Sequence, residues 1–295
     1  MTDTPEHNGT SHDLTRRTVL MAGGAGAVAL GLGGALAVDA SAEDGGTADT
    51  CYTLTSETVE GPYYIDANRI RQDVTEDQEG IPLVLRLKVI DAETCRPLKD
   101  AAVDIWHCNA VGVYSGYEAS GSGGGGGGGP APGGTPTGTP TGAPPSGGPG
   151  GPGGPGGHQE PTDDSRYLRG TWRTDRRGYV IFRTVFPGWY QGRCVHIHVK
   201  VHVDGAWTDA GYEGGRTCHT GQLFFAEQAV LLTEAVEPYS TNTAPRTTLD
   251  EDTIYPGNGS AGGLLHLAYD GRHIARGVRA RLTLGVAPDA THDGG

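Results

Sequence analysis

Short stretches of alternating apolar and polar residues recur along the chain, separated by turns rich in glycine and proline. Such alternation is typical of β-strands with one buried face. It predicts one short helix within 226–235 and strands at 81–91, 101–108, 179–185, 195–203, 222–225 and 278–286. Because residues 92–100 predict a turn, the first two strands are expected to form a hairpin. The pattern predicts an all-β fold, an antiparallel β-sandwich with few short helices.

Between Glu118 and Asp164 the pattern gives way to a segment dominated by glycine, proline, threonine and serine. The segment holds almost no large apolar residue, so it cannot bury enough surface to offset the entropy of ordering it. Its glycines do not recur at every third position, which argues against a collagen helix. We predict a disordered Gly/Pro-rich insertion at 118–164, within one domain that spans 43–295.

The N-terminal segment predicts export. Arg16 and Arg17 precede an apolar run at 19–38, and Ala40-Ser41-Ala42 follows it as a small-residue cleavage site. This order indicates a twin-arginine signal peptide at 1–42 and a secreted or extracytoplasmic protein. The alternative is a membrane anchor, but the run is rich in glycine and only weakly hydrophobic. No stable anchor is expected after cleavage.

Charge and cysteine content narrow the class of protein further. A net charge of −13 makes nucleic acid and anionic membranes poor partners. The five cysteines allow two disulfides, and their spacing lacks the CxxC pairs of structural zinc sites. Only Cys95 and Cys108 are not expected to pair with each other, because a turn and a strand separate them. The remaining pairings and the oligomeric state stay open.

Two histidines in one predicted strand suggest a metal site. His196 and His198 are two residues apart, so both imidazoles are expected on the same face. His202 shares that face and is either a third ligand or a solvated residue. No carboxylate lies nearby, which argues against a two-His-one-carboxylate ferrous site. A copper site built from the three histidines is an alternative.

Two tyrosines accompany these histidines. Tyr190 follows Pro187-Gly188-Trp189 in a turn just before the histidine strand, and Tyr114 follows the predicted strand that contains Trp106. In this order and context the chain resembles the intradiol ring-cleavage dioxygenases of the catechol and protocatechuate type. The residues that carry the resemblance are 57–63, 104–106, 114, 175–201 and 222.

The resemblance implies a ferric iron, Fe(III), held by Tyr114, Tyr190, His196 and His198. Phenolates are hard anionic ligands, and two of them favour ferric over ferrous iron. The implied reaction is cleavage of a catechol-type diol by O2 between the two hydroxyl-bearing carbons. Its products are acids of the cis,cis-muconate type, and both oxygen atoms are incorporated.

Further residues receive roles through the same resemblance. Tyr190 is the ligand that dissociates and accepts a substrate proton, and Arg193 stabilises negative charge developing on the ring. Gln222 is placed near the iron-bound oxygens. Tyr63 and Trp189 either line the substrate pocket or pack in the core.

The chain departs from the cytoplasmic members of that family in its N-terminal region. Those proteins often carry an N-terminal helical dimerisation region, whereas here only a short stretch separates the predicted signal from Cys51. Export is also unusual for aromatic catabolism. A second hypothesis is therefore an exported β-sandwich binding module that has lost catalysis.

Overall fold

The computed structural model describes residues 51–66, 69–121 and 158–292. Its elements are β1 (Pro82–Asp91), β2 (Ala102–Trp106), β3 (Arg169–Arg173), β4 (Tyr179–Val185), β5 (His196–Val203), β6 (Ala206–Thr208), β7 (Gly211–Glu213), β8 (Arg216–Phe224), α1 (Glu227–Thr233), β9 (His266–Tyr269) and β10 (Val278–Val286). The predicted all-β class is confirmed, with one short α-helix in the described ranges. Within those ranges, no helix is long and apolar enough to cross a bilayer. The predicted signal peptide at 1–42 lies outside them.

Two four-stranded sheets share one hydrophobic core. The first sheet has the order β4-β1-β10-β9 and the second the order β3-β2-β5-β8, while β6 and β7 form a separate pair. Leu83, Leu85 and Leu87 of β1 pack in the same core cluster as Val103 and Ile105 of β2. Burying one such side chain contributes about 1.5–3 kcal/mol to the stability of the fold. The alternating apolar residues of these strands therefore hold the two sheets together.

The predicted hairpin of the first two strands is wrong. β1 pairs with β4 and β10 in the first sheet, whereas β2 pairs with β3 and β5 in the second. Each of the two strands has an apolar face that must be buried. The shared core buries both faces when the strands lie in opposite sheets. The intervening residues therefore cross from one sheet to the other.

The prediction of purely antiparallel sheets is wrong at one pair. β1 and β10 run parallel, with Leu83 opposite Val278. Parallel neighbours need a long connection, and nearly all of the domain lies between these strands. The sequence pattern also missed β3, β6, β7 and β9, and it predicted only the end of β8, whose first half is polar.

β5 places the histidines. Its odd-numbered residues Ile197, Val199 and Val201 pack in the shared core. The side chains of His196 and His198 therefore project from the opposite face of the sheet. Both histidines are nevertheless buried, because loops cover this outer face.

Most of the predicted insertion at 118–164 lies outside the described residues, but its two ends make specific contacts. The backbone amide of Thr162 donates to the carbonyl of Gly116 at 2.6 Å, and that of Gln159 donates to Pro62 at 3.0 Å. Asp163 accepts a hydrogen bond from the amide of Glu118 at 3.0 Å. The two described ends of the predicted insertion are therefore held by specific contacts.

Cys51 and Cys95 form a disulfide, with their Cα atoms 5.6 Å apart. The sequence left this pairing open. Cys108, Cys194 and Cys218 are free and buried. The bond ties the first described residues to the segment that connects β1 with β2.

Candidate metal centre

Four side chains from three segments bring their ligand atoms together on the outer face of the second sheet. The Nε2 atoms of His196 and His198 are 3.1 Å apart. The phenol oxygen of Tyr190 lies 3.3 Å from His196 Nε2, and that of Tyr114 lies 3.4 Å from the same atom. The structure therefore brings together all four residues that the sequence predicted as iron ligands.

The loops that carry the two tyrosines touch at Gly188. A Cβ atom on Gly188 would lie 2.3 Å from the carbonyl oxygen of Ala110, so only glycine permits this approach. The amide of Gly188 donates to the carbonyl of Asn109 at 3.0 Å. This contact joins the loop that carries Tyr114 to the turn that carries Tyr190.

Both imidazoles are held in the neutral form that binds metals. Nδ1 of His196 lies 2.7 Å from the carbonyl oxygen of Cys194, which can only accept, so Nδ1 carries the proton and Nε2 a lone pair. Burial, reinforced by the charge of Arg193, lowers the pKa of His196 to about 3. The pKa of His198 also lies well below its usual value. Burial is the largest cause, and electrostatic interaction with the imidazole of His196 is the second.

The two phenols need a cation to ionise. Burial, followed by neighbouring Tyr190, raises the pKa of Tyr114 well above its ordinary value. Burial also raises the pKa of Tyr190, although the charge of Arg193 opposes it. Both phenols are therefore protonated until a Lewis-acidic ion replaces the proton.

The ligand set fits ferric iron. Two ligands at about 2 Å from one ion lie about 3 Å apart, which agrees with the spacing of 3.1–3.4 Å around His196 Nε2. Two phenolates and two neutral imidazoles suit a hard trivalent cation better than a soft one. Among the described residues, no cluster of three or more His, Cys, Asp or Glu could hold a metal.

Aromatic rings fix the orientation of the ligands. The indole of Trp106 stacks on the imidazole of His198, with centroids 4.8 Å apart and planes at 8°. Tyr63 stacks on Tyr114 at 4.8 Å and is itself buried, so it supports a ligand. Gly61 borders His198, since a Cβ there would lie 3.2 Å from Cε1.

Trp189 packs rather than lining a pocket. Its side chain belongs to the core cluster between the sheets. The indole Nε1 donates to the carbonyl of Ala244 at 2.9 Å. Of the two predicted uses of this residue, the structure favours packing.

Arg193 and Gln222 are linked directly. The Arg193 guanidinium donates to the side-chain oxygen of Gln222. The amide of Gln222 donates in turn to the carbonyl of Val59 at 2.9 Å. Gln222 lies opposite His198 in the β5–β8 ladder, so both residues face the metal centre.

Asp252 holds Arg193 in place and was not found from the sequence. Its Oδ2 accepts from Arg193 Nε at 3.0 Å and from the amide of Cys194 at 2.7 Å. Burial acts to raise the pKa of Asp252, but the Arg193 charge and the backbone donors outweigh it and lower the pKa to about 2. The carboxylate is therefore charged at neutral pH. Nothing in the spacing of the motif points to a residue so far along the chain.

A buried ion pair lies beside the ligands on the same face of β5. Lys200 Nζ is 2.5 Å from Glu60 Oε1, and both side chains are less than a tenth exposed, at 8% and 5%. The ammonium also lies over the ring of Tyr64, 4.2 Å from its centroid. His158 contacts the other oxygen of Glu60 at 2.9 Å.

His202 and His107 lie apart from the centre. His202 is four residues from His198, about 13 Å along a strand, and its Nδ1 lies 3.0 Å from the hydroxyl oxygen of Thr217. The structure therefore does not bring it together with the other two histidines, as the copper alternative requires. Nε2 of His107, which directly follows β2, lies 2.7 Å from the hydroxyl oxygen of Thr184 on β4.

Part of the chain matches known proteins in sequence. The Dioxygenase_C family model, described as "Dioxygenase", matches residues 59–123, which include Tyr63 and Tyr114. Catechol 1,2-dioxygenase of Acinetobacter baylyi is 36% identical over 72 residues, which is 23% of this chain and 23% of that protein. The match thus spans about a quarter of the curated relative.

A solved structure matches far more of the chain. The intradiol ring-cleavage dioxygenase from Tetranychus urticae superposes with a TM-score of 0.61 at 28% identity, and the match covers 82% of this chain and 98% of that one. The sequence matches and this structural similarity support the intradiol ring-cleavage dioxygenase family for the chain.

Proposed function

We propose that the protein is a non-haem Fe(III) dioxygenase that cleaves catechol-type diols with O2, in the intradiol manner, to cis,cis-muconate-type acids. The observation that carries this proposal is the convergence of two phenol oxygens and the Nε2 atom of His198 within 3.1–3.4 Å of His196 Nε2. The scaffold, two four-stranded sheets around one core, is that expected of a β-sandwich.

Tyr114, Tyr190, His196 and His198 would hold the iron. When bound, Fe(III) supplies the Lewis acidity that ionises the diol and withdraws electron density from its ring. The neighbouring aromatic rings keep the ligands in fixed orientations, which limits the reorganisation needed when substrate binds.

Tyr190 is the ligand that accepts a proton from a substrate hydroxyl, at its phenol oxygen. Tyr114 is only 3% exposed and backed by Tyr63, whereas Tyr190 is partly exposed at a turn. A partly exposed ligand on a turn can move away from the centre more easily than a buried, stacked one. The guanidinium of Arg193, fixed by Asp252, favours negative charge on the bound ring.

Iron loading and product analysis test this function together. The iron-loaded protein should be burgundy, with a broad visible band that shifts when a catechol is added without O2. With 18O2, the dicarboxylic acid product should contain both labelled atoms. His198→Ala should remove the band and the turnover, whereas the exposed His273→Ala should preserve both. A colourless wild-type protein that retains no iron would refute the proposal.

We also propose export by the twin-arginine route. The Cys51–Cys95 disulfide supports an oxidising compartment, where such bonds persist. In the native host the protein should be recovered outside the cytoplasm, with a mature N-terminus that follows Ala42. Replacing both Arg16 and Arg17 with lysine should retain the uncleaved chain inside the cell. Equal export of this variant would contradict the proposal.

A further inference from the structure

The outward face of the first sheet carries only basic charges. In the register of its strands, each outward-facing charged position of β1, β4 and β10 holds an arginine or a lysine. These residues are Arg86, Lys88, Arg183, Arg279 and Arg281. The whole chain has a net charge of −13, so this face is a local reversal of sign.

Like charges sit directly opposite one another on this face. Arg86 lies opposite Arg281 in the parallel β1–β10 pair. Like charges at opposed positions destabilise a sheet. Among the described residues, Arg86, Lys88 and Arg281 form no direct ion pair. The carboxylate of Asp175 attracts Arg86 only from a longer distance. An anionic ligand would relieve the repulsion.

A groove of about 270 Å³ opens at these cations. Its main lining residues are Arg86, Lys88, Tyr179, Ser260, His266 and Arg281. The guanidinium of Arg86 lies over the ring of Tyr179, 4.0 Å from its centroid. This stacking orients the planar group and leaves its N–H edges available for an anion.

We propose that this groove binds small organic anions that carry two or more carboxylates. The adjacent guanidinium groups of Arg86 and Arg281 can each take a planar carboxylate through two parallel hydrogen bonds. Lys88 is two residues further along β1, about 6.6 Å away, and can bind a second carboxylate. Cations spaced in this way favour two separated anionic groups over one compact anion.

The size and position of the groove support this ligand class. Its volume lies near the lower end of ligand pockets, about 300–1,000 Å³, which suits a small molecule. The groove lies on the first sheet, whereas the metal centre lies on the outer face of the second. The site is therefore separate from the proposed chemistry, although a dicarboxylic product of that chemistry belongs to the same ligand class.

Calorimetric titration of the full chain tests the site, with succinate and glutarate as probes and inorganic phosphate as a compact anion. Arg86→Gln/Arg281→Gln should weaken binding of the carboxylates at least about tenfold, since two charge-assisted contacts are lost. The matched control is Arg183→Gln/Arg279→Gln, which makes the same charge change on the same face outside the groove. It should change the affinity by less than about twofold.

Three results would overturn the proposal. They are no carboxylate binding by the wild type, equal weakening in both double variants, and binding of phosphate in preference to both carboxylates. Catechol turnover should be the same in both double variants and the wild type. The outcome is therefore independent of whether the proposed oxygenation is correct.

Discussion

Replacing Asp252 with asparagine should lower kcat for diol cleavage by about 10²-fold, the effect of losing one preorganised charged contact at the reacting group. Each carboxylate oxygen of Asp252 accepts two N–H groups. Oδ2 serves Arg193 and Cys194, and Oδ1 serves Ile254 and Tyr255. An amide NH2 would face two donors in either orientation. Arg193 would then lose the partner that fixes it.

The turnover of the Asp252→Asn variant and that of the wild type should be compared per mole of bound iron. The visible band of the iron-loaded variant should be retained, because Asp252 contacts none of the four ligands, and kcat should fall more than KM changes. Asp250→Asn is the matched control, since Asp250 is exposed and two residues away. If both variants turn over at the same rate, Asp252 does not position Arg193 for catalysis.

Lys200→Met should destabilise the protein by about 3–5 kcal/mol, the usual cost of leaving one member of a buried ion pair without its partner. Glu60 is 5% exposed, so its carboxylate would be buried without its ammonium partner, and only the imidazole of His158, itself about half exposed, would still contact it. For a domain of this size the midpoint of thermal unfolding should fall by about 2–4 °C for each kcal/mol. Urea unfolding of the two proteins gives the difference in free energy.

A double variant shows whether the loss comes from the unpaired charge. Glu60→Gln/Lys200→Met removes both charges and should recover most of the stability. Lys99→Met serves as the control, because Lys99 is 66% exposed and should change the free energy of unfolding by less than about 0.5 kcal/mol. A loss no larger than that of the control would mean that the ion pair contributes nothing measurable.

The strands that were predicted correctly turn alternate apolar side chains into the shared core. β1 alternates Leu83, Leu85 and Leu87 with polar residues, and this local pattern is enough to define a strand. Which sheet a strand joins is not a local property. β1 and β2 looked like a hairpin because they are close in sequence, but the shared core places them in different sheets.

The candidate site could likewise be predicted from the sequence only in part. Its four ligands could be predicted because they lie in three short segments with a family pattern, and the structure brings their ligand atoms together. Asp252 could not, because it reaches Arg193 through a loop 59 residues further on. The Lys200–Glu60 pair was missed for the same reason, since its members are 140 positions apart in the sequence.

The two faces of β5, a strand of eight residues, have different roles. Its odd positions hold the sheets together, and its even positions carry His196, His198 and Lys200. A substitution at an odd position of β5 therefore acts on stability, whereas a substitution at His196 or His198 acts on the metal centre. Inserting or deleting one residue ahead of His196 would exchange the two faces, burying imidazoles between the sheets and turning valines towards the metal centre. This strand can thus tolerate gradual substitution, but no change in its length.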